Sequence, residues 1–381
     1  MDIQHFSSGS FRDEFQYRTF QPSMVNHAWT VNDADLGTLL SQADRKLGEL
    51  NAFSQLVPNV DFFIRMHVNK EATTSSRIEG TQTNIGDVLQ KIENVDPEKR
   101  RDWEEVRNYI HAMNQAIGAL GTLPVSGRLL RETHRILMQG VRGEKKLPGE
   151  FRSSQNWIGG ASLKDAVFIP PHQREVPELM SDLERFLNEH DHPVPDLIKI
   201  GIAHYQFETI HPFLDANGRI GRLMIPLYLV ERGLLAKPSL YLSAFFEQHK
   251  TLYYDNLMRV RTHSDLRQWL RFFLEGIRQT AENAIQTFRS IIALREECER
   301  NILTLGKKTP LARNALHLLF STPIVDGQDL VVAFSINLST ALRLIEDLIR
   351  LRILQETTGF KRNRIFAFQR YIALFEREMV P

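Results

Sequence analysis

The sequence predicts a mainly helical protein with a C-terminal unit of helices and short strands. Three observations support this prediction. Apolar residues recur at helical spacing along most of the chain, whereas short alternating segments are confined to two regions. Hydrophobic residues make up 42% and charged residues 24%, as in folded globular proteins. The 381 residues are enough for two or three domains of about 100–200 residues.

Composition excludes several classes of protein. Lys+Arg 47 against Asp+Glu 46 gives a net charge of +1, so no overall field attracts the chain to nucleic acid or membrane. The single cysteine, Cys298, excludes an intramolecular disulfide and a zinc site built on cysteines. The first residues lack the features of a signal peptide, and the longest apolar stretch, 223–230, is far below the roughly 20 residues of a membrane span. We therefore expect a soluble, cytoplasmic protein with no membrane partner.

Residues 1–100 are expected to form an N-terminal helical region. The first 30 residues contain aromatic side chains without a clean period, and we interpret them as an arm packed on a domain. Helical spacing of leucines predicts a helix over about 32–50. A second helix is predicted from about Asp61 to Glu79, ending at the C-cap residue Gly80. A third is predicted over about 85–93.

Residues 101–264 are expected to form a second, central unit. Between its helices, residues 140–172 are rich in glycine and proline around short apolar pieces such as 166–169. This composition predicts a loop that contains a small β-hairpin. The predicted helices cover about 102–118, 128–139, 176–189 and 196–210.

A nearly unbroken helical pattern over 265–305 predicts a connecting helix to a C-terminal unit, residues 306–381. There, helices over 310–320, 330–334 and 338–350 are followed by two alternating segments, 354–358 and 364–368, an order typical of a winged helix. Lys361, Arg362 and Arg364 at the wing tip could contact DNA phosphates. The unit has 11 Lys+Arg and 7 Asp+Glu, a difference of +4, which is modest for a DNA-binding module. Packing on the core or binding a protein partner stays open.

The stretch HPFLDANGRIGR, residues 211–222, has the features of a phosphate-binding turn. Pro212 disfavours helical geometry in the residue before it, so one helix should end there and the next begin near Asn217. Free N–H groups at a helix start attract anions. Arg219 and Arg222, three residues apart, share a helix face and can add bidentate contacts to a polyphosphate.

Two further residues of this turn are candidates for chemistry. The Asp215 carboxylate can hold a Mg²⁺ ion that bridges phosphates, because hard cations prefer carboxylate oxygen. His211 is near enough to deprotonate a hydroxyl that attacks one of those phosphates. The residues alone therefore indicate a polyphosphate site with a general base.

The same stretch resembles the signature of the Fic (Fic/Doc) family, His-Pro-Phe-x-(Asp/Glu)-Gly-Asn-Gly-Arg-x-x-Arg. Every fixed position matches except Ala216, where the family usually has Gly; this matters if the position needs a positive φ. Residues 151–159 and 168–171 resemble the family's substrate-aligning flap, and the likeness runs over about 70–261. The resemblance implies a Fic-type helical core with a β-hairpin flap. It also implies a protein adenylyltransferase, which transfers AMP from ATP to a Ser, Thr or Tyr hydroxyl of a protein, itself included.

The resemblance also implies roles for individual residues. His211 would be the general base, and Asp215 would position Mg²⁺. Backbone around Val167 and Phe168 would pair with the target peptide. The residues implied for the nucleotide are Asp215, Ala216, Asn217, Gly218, Arg219, Ile220, Gly221 and Arg222 in the turn and the next helix, with Tyr253 and Tyr254 near the adenine.

Residues 75–80, SSRIEG, resemble the family's inhibitory pattern (Ser/Thr)-x-x-x-Glu-(Gly/Asn). Glu79 would lie in the last turn of a helix, where a carboxylate is unfavourable unless a cation compensates it. Arg222 is the candidate cation, and its pairing with Glu79 would deprive the γ-phosphate of a ligand. The resemblance thus implies an autoinhibited enzyme.

Alternatives stay open at this point. The chain could be a DNA-binding regulator with a nucleotide-sensing Fic core, or a Fic enzyme that removes AMP or transfers another phosphate-containing group. The intact His211, Asp215 and two arginines favour an enzyme, because a sensor needs no general base. A homodimer is compatible with the family's architecture.

Overall fold

Helices dominate the structure, in agreement with the predicted fold class. It is a computed structural model that describes residues 2–56, 60–141, 145–189, 194–359 and 363–376. Among these residues, none of the helices combines the length and apolar character needed to cross a membrane. The N-terminal region contains β1 (Gly9–Asp13), β2 (Arg18–Pro22), α1 (Ala34–Leu56), α2 (Val60–Ile78) and α3 (Ile85–Val88).

The N-terminal arm contains an antiparallel hairpin, which its sequence did not predict. Phe11 of β1 lies opposite Phe20 of β2. The N–H of Phe20 donates to the carbonyl of Ile169 at 3.0 Å. The arm is therefore packed on the central unit, as interpreted, through a residue far away in the sequence.

The central unit is built around two buried helices, α7 (Asp196–Ile210) and α8 (Asn217–Glu231). Apolar residues occur on all faces of α7, so it is covered on every side, and its Gly201 carbonyl accepts the indole N–H of Trp269 at 2.8 Å. The turn between α7 and α8 is residues 211–216. The helices of the unit are α4 (Arg100–Ala119), α5 (Gly127–Leu137), α6 (Val176–Asn188), α7 (Asp196–Ile210), α8 (Asn217–Glu231), α9 (Ser243–Gln248) and α10 (Lys250–His263).

The hairpin predicted within 140–172 is reduced to one antiparallel bridge between Ile158 and Phe168 in the described part of this segment. The N–H of Ile158 donates to the Phe168 carbonyl at 2.8 Å, and the N–H of Phe168 donates back at 3.1 Å. Gly159 and Gly160, both with positive φ, turn the chain immediately after Ile158. Strand pairing therefore cannot extend further in that direction.

Helix α11 runs from Leu266 to Leu303, over the segment predicted to be a connecting helix. The C-terminal unit contains a sheet in which β5 (Ile365–Ala367) lies between β3 (Ile324–Asp326) and β4 (Gln355–Glu356), and its interpretation as a winged helix stays a prediction. Strand β3 was not predicted, because it is only three residues long. Lys361 and Arg362 of the predicted wing tip lie outside the described residues, and DNA contact stays a prediction, as do the unit boundaries at 100, 264 and 305. The elements here are α12 (Thr309–Ser321), β3 (Ile324–Asp326), α13 (Gly327–Phe334), α14 (Leu338–Arg350), β4 (Gln355–Glu356), β5 (Ile365–Ala367) and α15 (Gln369–Glu376).

Helix α2, which ends just before Glu79, lies between the central unit and the C-terminal unit. The ring of Phe63 packs edge-on against Phe320 of α12, with centroids 5.8 Å apart. One turn later, the His67 ring meets Phe375 of α15 at 5.1 Å. The other end of α2 faces α8 in the central unit. The helix is therefore anchored on both sides.

Candidate active site

The turn between α7 and α8 begins with His211 in a left-handed conformation, at φ 51°. Its carbonyl accepts hydrogen bonds from Arg152 Nε at 3.0 Å and Asn156 Nδ2 at 3.1 Å. The N–H of Arg152 donates to the Pro212 carbonyl at 2.8 Å. Arg152 and Asn156 are themselves buried, so they hold the backbone of the predicted general base rigidly. Their positioning role was missed, since only the folded chain brings them to His211.

Asn217 closes the turn from the other side. Its Oδ1 accepts the N–H of Phe213 at 2.8 Å, and its Nδ2 donates to the Phe213 carbonyl at 2.8 Å. The Phe213 ring stacks on His134 at 4.0 Å. His134 accepts the Gly149 N–H on Nδ1 at 2.9 Å, so Nε2 carries the proton that is shared with the Asp215 carbonyl at 3.2 Å. Burial lowers the pKa of His134 to about 4, which keeps this ring neutral.

The N-terminus of α8 is a cluster of unused hydrogen-bond donors. Ala216 precedes it with φ 58°, and no side chain of the described residues caps the helix. Arg219 is buried in its first turn, and its Nε and Nη1 have no hydrogen-bond partner within the described chain. Carboxylate oxygens of Glu105 and Asp215 lie 3.5 and 3.8 Å from this guanidinium. Donors concentrated at a helix start are the elements of an anion site.

Arg222, one turn further along α8, is paired with α2. Its Nε donates to Ser75 Oγ and its Nη2 to the Ser75 carbonyl, both at 2.9 Å, while Nη2 also donates to Glu79 Oε1 at 2.7 Å. The side chain of Arg222 is 1% exposed and that of Glu79 is 37% exposed. The Glu79 carboxylate lies against Cα of Gly218, where any Cβ would collide with it. The contact between Glu79 and Arg222 expected from the inhibitory pattern is therefore present.

Electrostatics stabilise this ion pair. Burial alone would raise the pKa of the Glu79 carboxyl, but the charge and hydrogen bond of Arg222 hold it below its usual value. Burial likewise would lower the pKa of Arg222, and Glu79 reverses that effect. Both groups are therefore charged at neutral pH.

His211 itself is partly exposed, with Nδ1 buried and without a hydrogen-bond partner in the described structure. Burial, then the charges of Arg261 and Arg152, lower its pKa to about 3, although Glu79 acts in the opposite direction. The ring is thus neutral at neutral pH, and with its one proton on the buried Nδ1 the Nε2 atom is left as the nitrogen that can accept a proton.

Two residues that sequence reasoning missed lie behind the turn. Glu208, on α7, is buried, and its Oε1 has no partner in the described structure and presses against Gly221 of α8. Burial raises the pKa of Glu208 to about 7. Arg261, on α10, donates to the Glu208 carbonyl at 3.0 Å and lies 3.9 Å above the Phe168 ring. Arg261 thereby connects Phe168 of the predicted flap with helix α7.

The remaining residues predicted for the flap and the nucleotide site differ in how exposed they are to solvent. Val167 is 65% exposed at the flap, whereas Phe168 packs inside against Phe20. Tyr253 is buried, and its hydroxyl bonds His204 Nε2 at 2.9 Å, while Tyr254 is 40% exposed beside it. Ile220 is buried in the core.

Asp215 is the acidic side chain placed at the mouth of the turn, with 41% of its side chain exposed. Its Oδ1 accepts the N–H of Ala216 at 2.6 Å. The described residues contain no group of three or more His, Cys, Asp or Glu that could enclose a metal ion. A single carboxylate fits a Mg²⁺ ion that arrives with a polyphosphate, since the phosphates supply further ligands.

Family models match the two segments that contain these residues. Residues 37–118 match the model "Fic/DOC family N-terminal", and residues 124–229 match "Fic/DOC family". Segments of the Fic/DOC family therefore make up about half of the chain. The family resemblance of the signature in residues 211–222 is thereby confirmed.

Curated relatives carry the name "Protein adenylyltransferase Fic". The protein from Drosophila melanogaster is 31% identical over 135 residues, which are 35% of this chain and 25% of the relative. The protein from Culex quinquefasciatus is 34% identical over 157 residues, 40% of this chain and 28% of the relative. The chain therefore spans about a quarter of the length of the curated relatives it matches.

Solved structures support the fold. A Fic family protein from Desulfovibrio desulfuricans superposes with a TM-score of 0.56 at 21% identity, covering 90% of this chain and 98% of that one. A Fic domain containing signaling protein from Bacteroides thetaiotaomicron gives 0.52 at 19% identity, covering 66% and 97%. These likenesses confirm the predicted Fic fold.

Proposed function

We propose that this protein transfers AMP from ATP to a hydroxyl group of a protein, and that Glu79 restrains the reaction by occupying Arg222. The observation that carries the proposal is the donor cluster at the N-terminus of α8. Buried N–H groups without partners are costly, and a bound anion removes that cost. Arg219 offers two nitrogens that make no hydrogen bond in the described structure, Nε and Nη1, although Nη1 lies 3.5 Å from a carboxylate oxygen of Glu105. A polyphosphate supplies acceptors for both.

The chemistry follows from the positions of the reacting groups. The target hydroxyl oxygen attacks the α-phosphorus of ATP, the bond from that phosphorus to the bridging oxygen breaks, and pyrophosphate leaves with its electrons. His211 Nε2 accepts the hydroxyl proton. The neutral state of His211 leaves this nitrogen free to do so, and nearby phosphate charge raises the pKa of the ring once ATP is bound. Arg152 and Asn156 hold the backbone of His211, from which the imidazole extends.

Asp215 is the residue that would hold Mg²⁺ with the nucleotide, where the ion would neutralise phosphate charge. The protein's own contributions are charge and orientation, from Arg219 and the α8 N-terminus. Val167 is 65% exposed, which supports the proposal that the target peptide lies along the flap.

The restraint proposed for Glu79 rests on competition for Arg222. A guanidinium already bonded to a carboxylate and to Ser75 has fewer donors left for a γ-phosphate. The Glu79 carboxylate also occupies space directly over Gly218, at the helix start. ATP therefore binds without its third phosphate held, in a pose that does not react.

Labelling with ATP that carries ³²P on its α-phosphate tests both statements. Glu79→Gly is expected to increase self-labelling by about tenfold or more, since each 1.4 kcal/mol of barrier is a factor of ten. The same variant with His211→Ala is expected to lose the signal. Glu14→Gly, at an exposed turn residue, is the matched control and should label like the parent chain. Labelling that persists without His211 would refute the enzyme, and an unchanged Glu79→Gly signal would refute the restraint.

The mass added to the labelled chain identifies the transferred group. A mixture of ATP and other nucleoside triphosphates offers every base at equal concentration. Addition of AMP is expected, and addition of another nucleotide would correct the proposed substrate while leaving the type of reaction in place.

A further inference from the structure

A cavity of about 190 Å³ lies away from the nucleotide turn, at the junction of three parts of the chain. Helix α2 forms one wall and α11 the opposite wall. Residues 239–244 and Leu374 of α15 complete the lining. The volume exceeds the roughly 150 Å³ of an engineered cavity that accommodates benzene.

The two helices turn polar faces toward this space. On α2 the lining residues His67, Lys70, Glu71 and Thr74 follow helical spacing and share one face. On α11 the facing residues are also polar, among them Thr280 and Asn283. Buried polar faces do not pack dry against each other, because their groups need hydrogen-bond partners.

Four lining residues carry a buried polar atom that lacks a partner in the described structure. They are His67 Nε2, Ser239 Oγ, Tyr241 OH and Thr280 Oγ1. Each of these residues is at most 9% exposed. Such groups are rare in native interiors, and several around one cavity indicate that a molecule with hydrogen-bonding groups belongs there.

The charged side chains that line the cavity indicate whether its ligand carries a charge. Glu71 is already satisfied, since it accepts from Tyr109 OH at 3.2 Å and from Ser243 Oγ at 2.5 Å. Lys70 is different: within the described residues the structure gives it no hydrogen bond or ion pair. Burial, followed by the charge of Arg77, lowers its pKa, although the charge of Glu247 acts in the opposite direction without restoring the usual value. A ligand anion would compensate this ammonium group.

We propose that this cavity binds a small hydroxylated carboxylate, with its carboxylate on Lys70 and its hydroxyl groups on the unpartnered side chains. Ser239, Tyr241 and Thr280 both donate and accept, which suits a hydroxyl-bearing ligand. The site is separate from the turn that would hold ATP. Binding here does not depend on the proposed transfer reaction.

Calorimetric titration of the full chain tests the site, with D-glycerate, L-malate and citrate as probes of increasing size and erythritol as an uncharged comparison. At least one acid is expected to bind saturably with one site per chain, and erythritol is expected to bind at least tenfold more weakly. Lys70→Met should weaken that binding at least tenfold. Lys146→Met, the same change at an exposed lysine, should leave it unchanged.

A second variant keeps the test decisive if Lys70→Met fails to fold. Thr280→Val removes an unpartnered hydroxyl without changing shape, so the chain should fold at least as well while binding weakens several-fold. The proposal is overturned if none of the three acids binds saturably, because the cavity then holds only water. Binding that neither substitution alters would also overturn it.

Discussion

At the scale of single residues, Ala216 shows how a departure from the family signature is accommodated. With φ at 58°, it adopts a conformation that costs an L-residue roughly 1–2 kcal/mol and glycine nothing. The residue is nevertheless buried, and its carbonyl accepts the Ile220 N–H at 3.1 Å, the first bond of α8. The surrounding turn therefore imposes the conformation on an alanine.

Ala216→Gly should raise the free energy of unfolding by up to about 1 kcal/mol, because relief of the left-handed strain exceeds the added entropy of the unfolded chain. Urea denaturation measures the change. Ala52→Gly, at an exposed position inside α1, is the comparison and should lower the free energy of unfolding by about 1 kcal/mol. Equal losses in both variants would show that φ at residue 216 carries no strain.

Glu208 makes stability depend on pH. Its pKa in the folded chain is about 7 against 4.5 for an unperturbed glutamate, so its contribution to stability is fully present below pH 4.5 and is lost as pH rises through 7. Glu208→Gln should therefore gain up to about 3 kcal/mol relative to the parent chain between pH 5 and pH 8. Chemical denaturation at both pH values tests this, with Glu178→Gln, an exposed glutamate, as the control. A difference that stays constant with pH would contradict the prediction.

At the scale of elements, the end of α2 is fixed by contacts beyond Glu79. Arg77 forms a bidentate pair with Glu247 of α9, with N–O distances of 2.5 and 2.6 Å. Lys250 Nζ donates to the Ile78 carbonyl at 2.9 Å, where the helix has no further turn to satisfy that oxygen. These two contacts restrict the movement of the end of α2 and so keep Glu79 next to Arg222.

Arg77→Gln should raise self-labelling, but by at most about fivefold, because an exposed ion pair contributes only about 0.2–1 kcal/mol. The increase should be smaller than that for Glu79→Gly. Arg12→Gln removes another exposed pair, with Glu175, far from α2 in the sequence, and serves as control. An increase shared by both variants would point to general loosening of the fold rather than to α2.

Local signals predicted the helices but not the contacts between distant segments. The bounds of α7 and the start of α8 were predicted closely, since Pro212 and the apolar periodicity act within a few residues. The Glu79–Arg222 contact came from a sequence pattern and the helix dipole together. By contrast, the bonds from Arg152 and Asn156 to the His211 carbonyl, and the position of Arg261 over Phe168, join residues more than 50 positions apart. No periodicity encodes such pairs.

At the scale of the whole molecule, the row of aromatic contacts along α2 connects the C-terminal unit to the candidate site. Phe63 is 1% exposed between Phe288 and Phe320. Those two partners belong to the connecting helix and to α12. Loss of the Phe63 ring would therefore loosen α2 on the side opposite Arg222.

Phe63→Ala should lower the free energy of unfolding by about 3–5 kcal/mol, because removal of the ring leaves a void beside α2. The same void should loosen α2 and thereby increase self-labelling. Phe186→Ala, at a ring 2% exposed on α6, should cost similar stability without the increase in labelling. Denaturation curves and labelling rates on the same preparations separate the two effects. Equal labelling in both variants would show that α2 is not held from the C-terminal side.

The position of α2 between two packed units also has a consequence for protein engineering. A shortened chain that ends before α12 would leave Phe63 and His67 without Phe320 and Phe375, and would present a new apolar strip to solvent. Such a fragment would be prone to self-association. Its rate of self-labelling could not be compared with that of the full chain, because α2 would lack its contacts with the C-terminal unit. Dissection of this protein should therefore begin with point substitutions instead of deletions.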